Sequence, residues 1–391
     1  MSSAYADALL KAEYPKFSEG ELAQRRARMR EAMAQAGVDH LVFYGSGWRG
    51  SVVHWLTHWP VTTEAACIYT PGERDVMFVH YFNHLALARH IATNADVRWG
   101  GESTFGNVVE ELKRRGAKQG RVGVVGQITH DNHEKIAAAF GKPVNMGKHY
   151  ANLRKVKSQE ELEWFRIGAW FSDLGMQGLA DAARPGVSER ELANAVERAY
   201  VGKGGATGLH FIGATPMDAP QIPAPRQYHS SRKLQKGDVV FSEISADLFG
   251  YSGQVLRTFF IDSEPSPLYR DLHAVAMEAY EAIAKVLRPG AMPSEVVEAS
   301  GVIEKAGFTA VDDILHGYGG GYFPPVLGAA SRSNGPLPSE PFVEGQLVVV
   351  QPNVATLDGK AGVQTGEMLL ITKDGAVRMH DFPQGAQVLR G

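Results

Sequence analysis

The chain has 391 residues, 21% of them charged, and a formal net charge of −3. This length predicts at least two domains with ample core. The near-neutral charge, with no basic block interleaved with aromatic residues, excludes the nucleic-acid-binding classes that depend on such a block.

The remaining global features also narrow the class of protein. A single cysteine, Cys67, excludes an intrachain disulfide framework and a cysteine-based zinc site. The first residues lack a basic stretch followed by an apolar run, and no apolar segment is long enough to cross a bilayer. The sequence therefore predicts a soluble, cytoplasmic protein with no membrane partner.

Residues 1–150 have the pattern of a small α/β domain. A charged helix at 21–35 ends at Gly37, which suits a left-handed helix cap. Strands are predicted at 38–44, 67–70, 76–82 and 121–125. The Gly-Ser-Gly that begins at Gly45 lacks the third glycine and the following helix of a dinucleotide-binding fingerprint, so no bound cofactor is expected there.

Residues 151–391 have the pattern of a second, duplicated domain. Ser158 and Glu161 form a capping box at the start of its first helix. The segments 183–197 and 287–300 both read Arg-Pro-Gly followed by a serine and an acidic helix start. Two such units about a hundred residues apart indicate two related halves.

The hairpin at 236–262 carries the most informative residues. Glu243 lies inside an otherwise apolar strand, and Gln254 lies in the strand that follows. A buried carboxyl in a strand is costly unless it is paired, bound to a ligand or functional. The same residue could instead occupy an outward-facing position.

This hairpin, with its Gly-Asp turn and its Arg-Thr-Phe ending, resembles the central hairpin of the pita-bread superfamily of methionine aminopeptidase, prolidase and creatinase. The resemblance implies an α+β fold, with a pita-bread catalytic domain at 151–391 preceded by the smaller α/β domain at 1–150. It also implies a homodimer.

In the metallopeptidases of this superfamily, five positions hold two metal ions. Here Glu243 and Gln254 replace two aspartates, and Gln351 replaces a glutamate. His316 matches the histidine, although a rival alignment puts Gly320 there. The last position is a Glu-Asp pair that here reads Gly366-Glu367, so Glu367 is either the ligand shifted by one residue or its neighbour.

Glutamine is a neutral, weak ligand that cannot bridge two cations, so the resemblance implies a site that has lost its metal pair. We therefore expect no metal and no other cofactor. A single metal on Glu243, His316 and Glu367 remains the alternative, because two carboxylates and one histidine can hold iron.

The resemblance to creatinase implies catalysis by histidine and carboxyl groups. The candidates are Glu243, His316 and Glu367, with His210 and His229 as further proton shuttles on the segment upstream of the hairpin.

Other residues are candidates for binding the substrate. Gln254 and Gln351 can both donate and accept hydrogen bonds. Arg226 and Tyr228 suit an anion-binding loop, and Arg49 is the residue that the superfamily's dimer would lend to its partner's site. Two tyrosines beside the glycine-rich turn would form a pocket wall, namely Tyr318 and Tyr322.

These residues predict a metal-independent, creatinase-like hydrolase that cleaves a C–N bond in a small nitrogenous metabolite, and not a peptidase. Two alternatives remain open. One is a lyase that uses the same pocket, with or without one metal, and the other is a non-catalytic binding module of the same fold.

Overall fold

The protein is described by a computed structural model that covers residues 3–47 and 52–391. The chain divides into two compact units, Met1–Arg154 and Lys155–Gly391. The division falls a few residues after the boundary expected at 150. In the described ranges no helix is long and apolar enough to span a membrane.

In the part of the first unit that the structure describes, six strands form one sheet with the order β4-β3-β2-β1-β5-β6. These strands are β1 His40–Ser46, β2 Glu64–Tyr69, β3 Asp75–Val79, β4 Ala95–Trp99, β5 Val122–Val125 and β6 Val144–Asn145. The helices of this unit are α1 Ala4–Lys11, α2 Glu19–Ala36, α3 Val52–Thr57, α4 Leu85–Ile91, α5 Thr104–Arg114, α6 His130–Phe140 and α7 Gly147–Lys155.

The sheet of the first unit is mixed, as the alternating pattern predicts. β1 pairs antiparallel with β2 and parallel with β5. Apolar cores cover both of its faces, and Cys67 is a buried thiol within one of them. Gly37 ends α2 in the left-handed conformation, with φ of 68°, as expected for a C-cap glycine.

The helices of the second unit pack against a long, mainly antiparallel sheet. They are α8 Gln159–Ala182, α9 Glu189–Tyr200, α10 Pro267–Val286, α11 Pro293–Ala299 and α12 Val302–Lys305. The strands are β7 Ala206–Pro216, β8 Asp238–Leu248, β9 Tyr251–Ser252, β10 Val255–Ile261, β11 Thr309–Ala310, β12 Leu315–Tyr318, β13 Tyr322–Leu327, β14 Leu347–Val350, β15 Val354–Ala355, β16 Gly366–Thr372, β17 Gly375–Arg378 and β18 Gln387–Leu389.

The main sheet of the second unit shows the duplication that the sequence indicates. Its order is β13-β12-β14-β16-β10-β8-β7. The first half supplies β7, β8 and β10 after helices α8 and α9, and the second half supplies β12, β14 and β16 after α10 and α11. β13 adds an edge strand to the second half, and β10 and β16 pair with each other where the two halves meet. This arrangement is the α+β pita-bread fold expected from the resemblance.

Helix α8 anchors the central hairpin. Its capping box is formed, with Ser158 and Glu161 exchanging bonds between side chain and backbone. Farther along, the Ser172 hydroxyl donates to the Gly253 carbonyl at 2.9 Å and accepts from the Ala246 amide at 2.8 Å. These bonds fix the turn between β8 and β10, and therefore the strands that carry Glu243 and Gln254.

Candidate active site

The register of the sheet decides which candidate residues share a face. Side chains opposite one another in antiparallel strands share a face, and neighbours along a strand alternate. Leu256 lies opposite Glu243 on β8 and opposite Gly366 on β16. Glu243, Gln254 and Gly366 therefore lie on one face, and Glu367 lies on the other.

His316 and Gln351 join the first of these faces. His316 lies opposite Val349 on β14, and Gln351 follows Val350, which lies opposite Glu367. We call this side the pocket face, defined by Glu243, Gln254, His316 and Gln351. The opposite side, which packs against α8 and α10, is the helix face.

The two glutamines of the pocket face are bonded to each other and to the glutamate. Gln254 Nε2 donates to Glu243 Oε1 at 2.9 Å and to Gln351 Oε1 at 3.0 Å. All three side chains are buried, with at most 6% of their surface exposed. The two amides thus fill the space between the strands in which the superfamily's metallopeptidases hold acidic ligands.

Among the described residues, no cation acts on Glu243 to stabilise its ionised form. Burial, followed by the negative charges of Asp312 and Asp313, raises the pKa of Glu243 to about 8, despite a hydrogen bond from the Gln364 side chain that lowers it. At neutral pH this carboxyl is mostly protonated, so it can donate a proton.

His316 is a neutral base, in contrast to Glu243, which is an acid. Its Nδ1 lies 2.8 Å from the Gly317 carbonyl, an acceptor, so Nδ1 carries the proton of the neutral ring. With the proton on Nδ1, the buried Nε2 carries a lone pair. Burial lowers the pKa of His316 to about 4, although Gly317, Asp312 and Gln351 act in the opposite sense. At neutral pH the ring is an uncharged base.

The two tyrosines expected as pocket walls do flank His316. The Tyr322 ring stacks on the imidazole with centroids 4.0 Å apart and planes 13° apart. The Tyr318 ring lies 5.9 Å away at a tilt, and its hydroxyl bonds with Ser252 Oγ at 2.7 Å. Tyr322 is 55% exposed and Tyr318 is buried, so the Tyr322 ring covers the imidazole on its solvent side.

Glu367 does not join the pocket, which corrects one sequence-based expectation. It lies on the helix face, where Arg257 Nη2 donates to Oε2 at 2.5 Å, and Arg378, Tyr280 and Gln384 donate to Oε1. Burial acts to raise the pKa of Glu367, but the hydrogen bond from Arg378 and the charge of Arg257 outweigh it and lower the value to about 2. Glu367 is therefore the neighbour of the ligand position, held as a permanent anion.

His210 and His229 are also placed away from the pocket face. His210 lies opposite Ile244, so its side chain points to the helix face, where Nε2 lies 2.6 Å from the Tyr200 hydroxyl of α9. His229 Nε2 contacts the His210 carbonyl at 3.0 Å. The structure therefore does not bring either histidine to Glu243. For His210 the cause is the alternation of side chains along β7, where one step reverses the face.

Arg226 and Tyr228, two further binding candidates, are not brought to the pocket. Arg226 Nη1 is paired at 2.7 Å with the buried Glu189, the first residue of α9, so its charge is compensated away from the pocket. Tyr228 is 88% exposed. Arg49 lies outside the described residues.

Two acidic residues that the sequence analysis did not single out reach the pocket. Asp313 precedes β12 and is buried. Its Oδ1 accepts from the Tyr322 hydroxyl, and its Oδ2 lies 3.4 Å from Gln351 Nε2. Asp312 accepts from the Asp313 amide at 2.8 Å. The sequence does show these two aspartates four and three residues before His316. The same segment also suits an exposed loop, so the sequence alone does not place them in the pocket.

Comparisons with known proteins agree with this architecture. Residues 163–373 match the profile of Metallopeptidase family M24, and residues 25–156 match the Creatinase/Prolidase N-terminal domain. The chain belongs to family M24. It is a creatinase-like member of the pita-bread superfamily and a hydrolase of the creatinase/prolidase type.

Among curated relatives, this M24 chain is 23% identical to the creatinase of Bacillus sp. over 405 residues, covering 95% of the chain and 93% of the relative. It is 25% identical to the ectoine hydrolase of Halomonas elongata over 240 residues, 59% of each. The solved prolidase of Thermococcus sibiricus superimposes with a TM-score of 0.80 at 19% identity, covering 94% of this chain and 99% of that one.

The M24 name implies a metal centre, and the donors of this chain do not fit one. The two amides are turned toward each other, and the fifth ligand position is Gly366, where a Cβ would lie 2.1 Å from the Val350 carbonyl at φ of 149°. Gly320, the rival histidine position, has φ of 85° and would place a Cβ 1.9 Å from the Gly250 carbonyl. Neither backbone site accepts a ligand side chain.

The single-metal alternative meets the same difficulty. Its three expected ligands were Glu243, His316 and Glu367, and the last of these lies on the helix face with two arginines. Over residues 3–47 and 52–391, no group of three or more histidine, cysteine, aspartate or glutamate side chains is arranged to hold a metal ion. The donor chemistry of the pocket therefore supports proton transfer rather than metal binding.

Proposed function

We propose that this chain is a creatinase-like hydrolase that cleaves a C–N bond in a small nitrogenous metabolite without a resident metal, and that it is not a peptidase. The observation that carries the proposal is the pairing of Gln254 and Gln351 beside a protonated Glu243. Where a metallopeptidase needs anionic oxygen ligands, the pocket face of this chain has an acid, two amides and a neutral imidazole. Its two aspartates, Asp312 and Asp313, precede β12 and match none of the five ligand positions.

In this proposal Glu243 is the general acid and His316 is the general base. His316 Nε2 takes a proton from a water molecule as its oxygen forms a bond to the substrate carbon. The C–N bond then breaks, and Glu243 gives its proton to the leaving nitrogen. The proton on His316 returns to Glu243 through solvent or product, so the enzyme is restored and one water is consumed.

The amides would orient the substrate, since each can donate and accept a hydrogen bond. Tyr318 and Tyr322 would limit the pocket to a compact molecule. The near full-length similarity to a creatinase and the partial similarity to an ectoine hydrolase support a non-peptide substrate, whereas other relatives, such as the Xaa-Pro dipeptidase of Pyrococcus furiosus, are peptidases by name. We further expect a homodimer, as the resemblance implies.

The test is a substrate screen followed by isotope analysis. Guanidino compounds, cyclic amidines, imides and small amides are incubated with the enzyme beside Xaa-Pro dipeptides, with and without chelator. The proposal expects turnover of a small non-peptide compound that survives chelator. Exclusive turnover of dipeptides in the presence of added Mn²⁺ or Co²⁺ would contradict it.

Hydrolysis in ¹⁸O-labelled water then separates the remaining alternatives. A hydrolase incorporates one labelled oxygen into the carbon product, whereas a lyase forms an unsaturated product without label. Glu243→Gln is the loss-of-function variant, and Glu344→Gln, at an exposed position, is its matched control. Unchanged turnover of Glu243→Gln would show that Glu243 is not the acid.

A further inference from the structure

The turn between β12 and β13 consists of three consecutive glycines, residues 319–321. Gly320 and Gly321 have φ of 85° and 156°, and the turn has no side chains of its own to pack against the fold. Glycine loses more backbone freedom on folding than any other residue. Ordering this turn is therefore costly, and contacts from outside it must offset the cost.

Lys157 contacts the hairpin on both sides of this turn. Its side chain is buried, with 6% of its surface exposed, and Nζ donates to the carbonyl oxygen of Tyr318, the last residue of β12, at 2.5 Å. The same ammonium lies 5.6 Å from the centre of the ring of Phe323, the second residue of β13. The first contact is a charge-assisted hydrogen bond, and the second is within the distance of a cation–π interaction.

The backbone of Lys157 is itself fixed. Its amide donates to the Gly345 carbonyl at 3.0 Å, and Val156 forms a β-bridge with Gln346, directly before β14. Since β14 pairs with β12, the lysine is tied to the same part of the sheet as the hairpin that it contacts. The ammonium therefore has a rigid base from which to hold the turn.

The position of Tyr322 depends on these contacts. Tyr322 is the first residue of β13, pairs with Tyr318 across the turn and directly precedes Phe323. The pairing of β12 with β13 shifts register between His316 and Gly317, so the regular ladder does not continue to the turn end of the hairpin. The placement of the Tyr322 ring over His316, with centroids 4.0 Å apart, therefore relies on what holds the turn.

We propose that Lys157 is a positioning residue that clamps both ends of the glycine turn and thereby holds the Tyr322 ring against His316. The proposal rests on the proposed function, in which His316 is the base that takes a proton from water. A ring stacked at 13° to the imidazole fixes its plane, and with it the direction of the Nε2 lone pair. Without the clamp, the turn and Tyr322 move and the base loses that orientation.

Lys155 provides the matched control for a loss of charge. It lies two residues away, and its ammonium pairs with Glu340 at 3.2 Å, outside the hairpin. Its backbone carbonyl accepts from Lys157 Nζ at 3.3 Å, a contact that methionine at position 155 preserves. Lys157→Met and Lys155→Met therefore remove the same charge, and only the first removes the clamp.

The experiment is NMR of the His316 ring protons at one fixed pH, with the resonance assigned by its loss in His316→Gln. No substrate is required. A stacked tyrosine shifts these protons upfield, and Tyr322→Leu defines their position without that ring. Lys157→Met is expected to move the resonance most of the way to this position, and Lys155→Met to leave it at the wild-type value. An unmoved resonance in Lys157→Met, or equal shifts in both lysine variants, would overturn the proposal.

A second variant covers the case in which Lys157→Met does not fold. The amide of Lys157→Gln is uncharged and ends one bond short of the ammonium, so it loses the attraction to Phe323 and the charge-assisted bond to Tyr318. This variant must move the His316 resonance in the same direction, and an unmoved resonance would contradict the clamp.

Kinetics with a turned-over substrate give the second readout. Misplaced reacting groups cost about 10- to 100-fold in rate, so Lys157→Met is expected to lower kcat by that factor with little change in KM. Tyr322→Leu should lower kcat similarly, and the double variant should lower it no further, because both substitutions break one contact. Additive losses in kcat would contradict the clamp.

The clamp and the proposed function fail separately. Full turnover by His316→Gln, together with a moved resonance in Lys157→Met, would contradict the proposed function and keep the clamp. Loss of turnover in His316→Gln, together with an unmoved resonance in Lys157→Met, would contradict the clamp and keep the proposed function.

Discussion

Two buried glutamates on opposite faces of one sheet have opposite electrostatic surroundings. Glu243, on the pocket face, has two aspartates and, in the part of the chain that the structure describes, no cation near it, and its pKa is raised to about 8. Glu367, on the helix face, has Arg257 and Arg378, and its pKa is lowered to about 2. A buried charge left without a cation costs stability and is typical of a functional group, whereas a compensated one is structural. The comparison assigns chemistry to Glu243 and stability to Glu367.

The largest effect is expected for Glu243→Gln, which tests the catalytic role of Glu243 by activity. Glu243→Gln keeps the shape of the side chain and removes its proton, and general acid catalysis contributes about 10²- to 10⁴-fold. We expect a loss of kcat in that range with no loss of stability. Turnover within threefold of wild type, a margin of only about 0.7 kcal/mol, would remove Glu243 from the mechanism.

The reverse result is expected for Glu367→Gln. The substitution leaves Arg257 buried without its anion, and breaking a buried pair typically costs about 3–5 kcal/mol. Urea unfolding followed by circular dichroism should show this loss, while the folded fraction keeps most of its activity. If stability is unchanged and kcat falls as in Glu243→Gln, the assignment of the two faces is wrong.

The pH dependence of activity tests the protonation states directly. The proposed mechanism needs Glu243 protonated, which holds below about pH 8, and His316 neutral, which holds above about pH 4. A bell-shaped profile of kcat/KM with limbs near these values is expected. An optimum confined to alkaline pH, where Glu243 is ionised, would contradict the role of Glu243 as the acid.

The pH dependence of stability should have opposite signs at the two glutamates. Both ordinary values are near 4.5. The raised pKa of Glu243 makes folding progressively costlier as pH rises from about 4.5 to about 8, so Glu243→Gln should gain stability over wild type through that window. The lowered pKa of Glu367 stabilises the fold above about pH 4.5, and that contribution is lost as pH falls toward about 2. Unfolding free energies of both variants at several pH values provide the measurement, and equal signs would contradict the comparison.

The smallest effect is expected for metal binding when Gln254 and Gln351 are replaced by acidic residues. Restoring acidic residues with Gln254→Asp and Gln351→Glu supplies two of the missing ligands, but Gly366 still has no room for a side chain. We expect this double variant to bind Mn²⁺ only weakly in a calorimetric titration, with Glu344→Gln in the same titration as the control. Tight binding of two ions would show that the amides alone prevent a metal centre.

The pocket residues that could be predicted from the sequence are those whose segments resemble the superfamily's ligand segments. Glu243 and Gln254 lie in the hairpin that carries the resemblance, and His316 and Gln351 lie in later segments that match it. The error at Glu367 has a simple cause, because a shift of one residue along a strand reverses the face of the sheet. The same alternation of side chains along a strand places His210 on the helix face, away from the pocket.

Asp313 could not be predicted in this way. It lies before a strand rather than within it, so no alternation pattern places its side chain. Its partners, Tyr322 and Gln351, come from a different strand and from the end of another, and only the folded sheet brings the three together. A pair of aspartates in a connecting segment is more often solvated than buried.

The most direct test of the central claim is the metal content of the protein, measured by elemental analysis after purification without chelator and again after incubation with Mn²⁺ and removal of unbound ions. Because a site with two amides and one missing ligand lacks the donors that a metal pair requires, we predict less than about a tenth of an equivalent per chain in both samples, with activity unchanged. About one to two equivalents, with activity that follows the metal, would contradict the account and restore a metallohydrolase mechanism.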